Sequence, residues 1–434
     1  MSTVGIVCEY NPFHKGHLYQ IEQAKKLTGA DHVVCFMSGN FLQRGIPALA
    51  DKFTRAEAAV RCGVDVIFEI PFVYSTASAR DYATAAVTMM DMSGAIDYIS
   101  FGAETDDLSL LSQIAGIVEN EPPQVSDSIR RSMASGMTYG AARAAAIVEY
   151  LQGKDIARKD CSNDSSSSPE SNISSVMSSP NNILAIEYLA ALKRIGSKIK
   201  PVIIKRLISD YNSSEAVHDI CSASAIRSLL GNSDIKTIER HVPKECYRIL
   251  NTNYRKTFPI FEDHMSSLLD AARLLYGRYD ISSSLSSSGE IVDMDQDLYN
   301  RMSKIDSDMS FSDTAKALKS RNYTLTHIQR ALLHYVMQLT KTDYDSYKSD
   351  GWIYYLRLIG LNARAGGIVK QIKKNSDIPV ITKAPEAASK LSTTGKSMFG
   401  YDVKSTAIYN SLVCSAYGTK LKNEYEHTIP VINA

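Results

Sequence analysis

Two histidines three residues apart, His14 and His17, sit in the string Gly5-Ile-Val-Cys-Glu-Tyr-Asn-Pro-Phe-His14-Lys-Gly16-His17-Leu. Imidazole N–H groups at that spacing project from one turn and can stabilise the extra charge that develops on an α-phosphate under attack. Gly16, between them, removes a side chain where a phosphate or ribose would approach the backbone. The string reads as a buried strand running through a turn into a helix. Free N–H groups at the helix N-terminus would then face the strand's carboxyl end and offer a site for phosphate oxygens. Two other readings fit the same pair. A metal site is one, although no third Cys or His lies nearby; packing or capping is the other, since a bare HxGH pattern arises by chance. Its position after a first strand and at the opening of a helix is the place where the phosphate mechanism works.

The elements that must hold this turn are legible as alternation. Short apolar runs at 4–8, 32–37, 64–70 and 98–101 are separated by helical patterns over 16–27, 51–62 and 78–92, which is the signature of a parallel α/β sheet. The expected fold class is a doubly wound, parallel-sheet α/β domain of the nucleotide-binding type with ligands at the carboxyl ends of its strands, followed by a mainly α-helical C-terminal domain. Residues 104–151 read as helices broken by Pro122 and Pro123. Between Ser162 and Ser179, 10 of 18 residues are serine, so a mobile loop is expected over 160–179. Order resumes at Pro180 with a helix over 182–195, a strand over 201–204 and a short helix opening at Ser224. From about residue 240, amphipathic patterns such as 264–275 and 327–339 replace the alternation. The expected division is therefore 1–235 and 240–434. A second serine run, Ser282 to Ser288, precedes Asp293, Asp295 and Asp297; a calcium loop fails there because Leu298 and Lys304 stand where Gly and Glu are needed, and a solvated acidic turn is expected.

With 434 residues the chain exceeds one ordinary core. Its 48 basic residues balance 47 acidic ones, so any footprint for a nucleic acid must be local. No run is long and apolar enough to span a bilayer and no leader pattern opens the chain, which predicts a cytoplasmic protein without a membrane partner. The seven cysteines are scattered and contain no CxxC pair.

The HxGH element after a first strand resembles the nucleotidyltransferase superfamily, which implies a HUP-like α/β domain. The string from Glu9 to Leu18, together with Met37-Ser-Gly-Asn-Phe-Leu-Gln-Arg-Gly45, Phe101-Gly102-Ala-Glu104, Pro180-Asn-Asn-Ile-Leu184 and Ile204-Lys-Arg206, resembles the tRNA(Met) cytidine acetate ligase family over nearly the whole chain. That resemblance implies a two-step reaction: acetate attacks the α-phosphate of ATP to give acetyl-adenylate, and the acetyl group passes to N4 of the wobble cytidine of elongator tRNA(Met). It implies an ATP site made of Val7, Cys8, Glu9, Tyr10, Asn11, Pro12, Phe13, His14, Lys15, Gly16, His17, Leu18, Tyr19 and Gln20, with His14 and His17 catalytic. Gly102, Asn181, Asn182, Arg206 and Leu207 would complete it. Gly102 equally makes a strand-to-loop turn, Asn after Pro equally caps a helix, and Arg206 equally sits on a solvated edge. Ser222-Ala-Ser224-Ala-Ile-Arg227 resembles a helix start that holds phosphates, with Ser224 as cap and Arg227 reaching the pyrophosphate. Mg2+ is expected with the phosphates, and no metal-ligating side chains are. Ala185 where Gly is expected, a long loop from Tyr211 to His218 and the serine-rich insertion depart from the family pattern.

A local charge bias bears on the RNA. From Arg357 to Lys396 eight basic residues stand against two acidic ones, and Arg364, Lys370, Lys373 and Lys374 fall around a Gly-rich helix start that could meet a nucleic-acid backbone, with Tyr354 and Tyr355 to stack on bases. A solvated basic helix with core tyrosines is the other reading. Gln43-Arg44-Gly45 could line the acetate or tRNA entrance. Two alternative functions remain at this level: a nucleotidyltransferase of a small metabolite, against which the extra helical half argues, and a non-catalytic RNA-binding protein of the same fold.

Overall fold

β-branched and aromatic residues fill the apolar runs of the first hundred residues, and each run becomes a strand whose alternate side chains enter different layers. In the computed structural model, which describes residues 2–158, 169–206, 221–277, 290–306 and 308–433, these are β1 (Thr3–Cys8), β2 (His32–Ser38), β3 (Val66–Ile70) and β4 (Tyr98–Ala103), joined later by β5 (Lys200–Lys205). Val33, Cys35 and Met37 of β2 join one core while Val34 and Phe36 join the other. The expectations for Leu207, for residues 160–168, for the loop from Tyr211 to His218 and for the serine run 282–288 lie outside the described residues.

These five strands pair in parallel in the order β5-β4-β1-β2-β3. Because β1 lies between β2 and β4, the crossovers leave it in opposite directions and open a crevice at the strands' carboxyl ends. The crossovers are α1 (Lys15–Thr28), α2 (Lys52–Arg61), the single turn α3 (Phe72–Ser75) and α4 (Ala79–Met92). Their starts are fixed by side-chain caps: Asp51 accepts from the N–H groups of Phe53 and Thr54, and Ser78 from that of Asp81. Between β4 and β5 come α5 (Leu108–Asn120), α6 (Pro123–Ala134), α7 (Tyr139–Arg158), α8 (Pro169–Ser178) and α9 (Pro180–Ile195). The prolines 122 and 123 separate α5 from α6, as expected. The mobile loop expected over 160–179 is corrected in its second half. Residues 169–178 form α8, because Ile173, Val176 and Met177 recur at helical spacing and are buried.

Beyond α10 (Ala223–Asn232) and residue 240 the chain is mainly helical. It also returns three strands to the same sheet, where the sequence suggested none. β6 (Leu356–Asn362) runs antiparallel to β3, and β7 (Val380–Ile381) and β8 (Val431–Ile432) pair with β6. This overturns the reading of Arg357 as an RNA contact. Arg357 lies in β6 opposite Glu69, fully buried and paired with Glu424 at 3.2 Å. Lys52 bridges the same two acids, 2.7 Å from Glu69 Oε2 and 2.7 Å from Glu424 Oε2. Nor can Tyr355 stack on a base: it is buried, and its hydroxyl donates to Asp402. Tyr354 is half-buried with its hydroxyl on the carbonyl of Tyr347. The acidic turn is corrected at Asp293, which is half-buried and paired with Arg330 at 2.9 Å, whereas Asp295, which caps the helix Gln296–Met302, and Asp297 are exposed as expected. Among the described residues no helix is long and apolar enough to cross a membrane.

Candidate active site

Where β1 ends, the backbone turns through Tyr10 in the left-handed region (φ 48°) and delivers His14 to the N-cap of α1. The two imidazoles and the backbone satisfy each other. His14 Nδ1 accepts from the N–H of Gly16 at 3.0 Å, and His17 Nδ1 accepts from the N–H of His14 at 3.3 Å, while the N–H groups of His17 and Leu18 bond to the carbonyl of His14. The expected free N–H groups are therefore corrected at positions 16, 17 and 18, whose hydrogens are already used for capping. The consequence for the rings is specific. A neutral imidazole that accepts at Nδ1 carries its proton on Nε2, so each histidine becomes a directed Nε2–H donor.

The rings stack at 3.8 Å between centroids, and Tyr10 and Phe13 support His17 at 4.9 and 5.6 Å. Burial pushes the His14 pKa down to about 3, with the positive charges of Arg206 and Arg227 adding to the effect. Burial, His14 and Arg206 likewise hold His17 well below its ordinary value. Both side chains are therefore neutral donors at neutral pH, suited to developing negative charge in a site already rich in cations.

They line a cavity of about 530 Å3 at the carboxyl ends of β1, β4 and β5. Of the residues expected from the first motif, Val7, Cys8, Glu9, Tyr10, Asn11, His14, His17 and Gln20 line it. Pro12, Phe13, Lys15, Gly16, Leu18 and Tyr19 are not in its wall; Phe13 packs edge-on against Tyr10, and Gly16 serves by holding His14. Opposite, a relay of polar contacts fixes Arg206. Glu104 accepts from Asn181 Nδ2 at 2.5 Å and from the N–H of Asn182 at 2.9 Å, and Asn181 Oδ1 accepts from Arg206 at 3.2 Å. Gly102 lies inside β4, not in a turn after it. A Cβ there would stand 3.3 Å from Arg206 Cγ, so the missing side chain makes room for Arg206 to cross the strand end. Asn182 is corrected as a ligand contact: it is buried, and its Oδ1 accepts from the N–H groups of Glu104 and Thr105.

The third wall is α10. Its N-cap is Ser222, which accepts from the N–H of Ala225 at 3.2 Å, so Ser224 is not the cap expected. Ser224 instead accepts from Arg227 at 2.9 Å, and Arg227 also donates to the carbonyl of Asn11 at 3.1 Å; all three line the cavity. The fourth wall, the segment after β2, supplies Leu42, Gln43, Arg44 and Ile46. Buried Arg55 ties it down by donating to the carbonyls of Glu9, Ser38, Gly39 and Ala50. Gly45 (φ 77°) is required there, because a Cβ would fall 2.4 Å from the backbone nitrogen of Arg330. Sequence reasoning missed Leu42, Ile46, Tyr82 and Tyr188 as lining residues. The two tyrosines sit on α4 and α9 in otherwise apolar patterns, which carry no signal of a ligand.

The remaining basic residues are elsewhere. Arg364, Lys370, Lys373 and Lys374 are exposed on and just before the helix Gly366–Asn375. That helix starts where Asn362 bonds to Asp65, just before β3, and ends where Asn375 bonds to Gly94, just before β4. It therefore lies at the amino ends of the parallel strands, away from the cavity. A wider groove of about 840 Å3 between α6 and α7 is lined by Asp127, Arg130, Arg131 and Glu149, whose charges pair with one another. Among the described residues, no group of three or more His, Cys, Asp or Glu side chains is placed to hold a metal ion.

A family model described as HIGH Nucleotidyl Transferase matches residues 1–424. The chain is 33% identical over 418 residues to the tRNA(Met) cytidine acetate ligase of Thermoanaerobacter sp., spanning 95% of this chain and 97% of that one. It is also 33% identical over 428 residues to the protein of the same name from Clostridium perfringens, spanning 98% of each. Among solved structures it is similar to Thermotoga maritima TmcAL bound with alpha-thio ATP, with a TM-score of 0.86 and 27% identity over 99% of this chain and 100% of that one.

Proposed function

We propose, for a chain that belongs to the tRNA(Met) cytidine acetate ligase family, that it catalyses ATP-dependent acetylation of a tRNA cytidine in the cavity at the carboxyl end of its sheet. An acetate oxygen bonds to the α-phosphorus of ATP, the bond to the bridging oxygen breaks, and pyrophosphate leaves with that electron pair. The acetyl carbon then bonds to N4 of the wobble cytidine of elongator tRNA(Met), and AMP leaves. The observation that carries this reading is the reciprocal capping of His14 and His17, which aims two neutral Nε2–H donors at one cavity. There they would bond to α-phosphate oxygens as charge builds up. Arg206, steadied by Asn181, and Arg227, steadied by Ser224, would pair with the rest of the triphosphate and the leaving pyrophosphate. Mg2+ would arrive on the phosphates, since among the described residues the cavity wall offers it a single carboxylate, Glu9, and would neutralise part of their charge.

Incubating the protein with ATP, acetate and total tRNA tests the reading. AMP and N4-acetylcytidine should form only when all three are present. AMP formation independent of acetate would favour a small-metabolite nucleotidyltransferase, and tRNA binding without ATP turnover a binding protein.

A further inference from the structure

The second half-reaction must dispose of a proton, and the cavity wall contains few groups able to take one. An exocyclic amine conjugated to its ring is a poor nucleophile, so the N4 proton has to leave as the bond to the acetyl carbon forms. His14 and His17 already use Nδ1 as an acceptor and hold a proton on Nε2, which makes them donors. Burial holds the hydroxyls of Tyr10, Tyr82 and Tyr188 well above their ordinary pKa, so they too keep their protons. Cys8 is pushed up in the same way. Arg44, Arg206 and Arg227 are cations. Glu9 is the only carboxylate in the wall among the described residues.

Its placement matches the task. The cations fixed for phosphate come from the β5 side and from α10, whereas Glu9 follows β1 and faces the segment after β2. Glu9 Oε1 accepts from the N–H of Gln43 at 3.0 Å, and its own carbonyl is held by Arg55. Among the described residues no hydrogen bond is made to Oε2. We infer that Glu9 is the catalytic base of acetyl transfer: its Oε2 accepts the N4 proton of the incoming cytidine, whose base enters the cavity on the Oε2 side, beside the segment Leu42–Ile46 to which Oε1 is tied. In that step the N4–C bond forms, the bond from the acetyl carbon to the phosphate oxygen breaks, AMP leaves with the electron pair, and the proton passes from N4 to Glu9 and then to water.

This rests on the proposed function, and the two half-reactions separate them. Glu9→Gln keeps an oxygen to accept from Gln43 and removes the proton acceptor. Because Glu9 also lines the nucleotide cavity, the test is the split between the half-reactions: transfer from accumulated acetyl-adenylate to tRNA should fall by about 100-fold or more, and acetate-dependent ATP–pyrophosphate exchange by about tenfold at most. Glu9→Asp should recover part of the transfer. Equal losses of exchange and of transfer would make Glu9 a residue of the nucleotide or Mg2+ site alone and overturn the inference. Transfer at the native rate would overturn it as well, by showing that the leaving phosphate takes the proton itself. If the native protein shows no acetate-dependent exchange, the underlying function fails first, and the inference with it.

Discussion

Basic side chains gather at both ends of the parallel sheet, and their surroundings differ. At the carboxyl end, Arg206 and Arg227 are held by Asn181 and Ser224 and share a cavity with two capped histidines. At the amino end, Lys370, Lys373 and Lys374 stand exposed on one helix, outside that cavity. Charge alone describes both ends. Chemistry requires that charges be fixed in direction and converge on one cavity, which only the first end achieves: Arg227 is half-buried, and Arg206, though exposed, is held by Asn181.

The largest effect expected from that contrast is at the histidines. His14→Ala or His17→Ala should lower acetate-dependent ATP–pyrophosphate exchange by about 100- to 1,000-fold, the usual cost of one directed donor, with tRNA retention on a filter nearly unchanged. Parallel loss of tRNA binding would mean that the turn holds the RNA as well as the nucleotide. Next comes the relay from Glu104. Arg206→Ala should reduce exchange by about 10- to 100-fold, as expected for a charged hydrogen bond, and Asn181→Ala should follow in the same direction with a smaller loss, chiefly through KM for ATP. An Asn181 variant with native KM would show that Arg206 does not depend on its partner.

The pH dependence sharpens the same comparison. Lowering an imidazole's pKa favours its neutral form down to the new value, so His14, at about 3, stays an uncharged donor as the pH falls through 6.5. The exchange rate should therefore show no limb from imidazole protonation between about pH 5 and 8. A limb near pH 6.5 that disappears in His14→Ala would contradict the capping. The smallest effect belongs to the other end. Replacing Lys370, Lys373 and Lys374 together with Ala should leave turnover at saturating tRNA unchanged. At most it should weaken binding in a salt-dependent way, with the slope shallower by about one unit for each phosphate that a lysine had neutralised.

How much of this was legible follows from the range over which each interaction acts. The β1–α1 junction was readable because the strand, the caps and the histidines are neighbours in sequence, and the parallel order because crossovers alternate locally with strands. Antiparallel β6 was not, since its partner β3 lies nearly 300 positions earlier and its buried cation is Arg357, a type that signals surface until Glu424 is seen beside it. The same holds for Glu104, whose bonds to Asn181 and Asn182 span a whole helical insertion. Short-range misreadings had a different origin. Ser222 and Ser224 both suit an N-cap, and only the backbone decides between them. In the serine-rich stretch, three apolar residues at helical spacing outweigh a composition that suggests none of the order seen in α8.

The central claim is that the two Nε2–H groups meet the α-phosphate. The most direct measurement is a crystal structure with an ATP analogue that resists cleavage between its α- and β-phosphates. His14 Nε2 and His17 Nε2 should each lie within about 3 Å of an α-phosphate oxygen, with Arg206 and Arg227 on the β- and γ-phosphates. A nucleotide seated elsewhere, or rings turned so that Nδ1 faces it, would contradict the account.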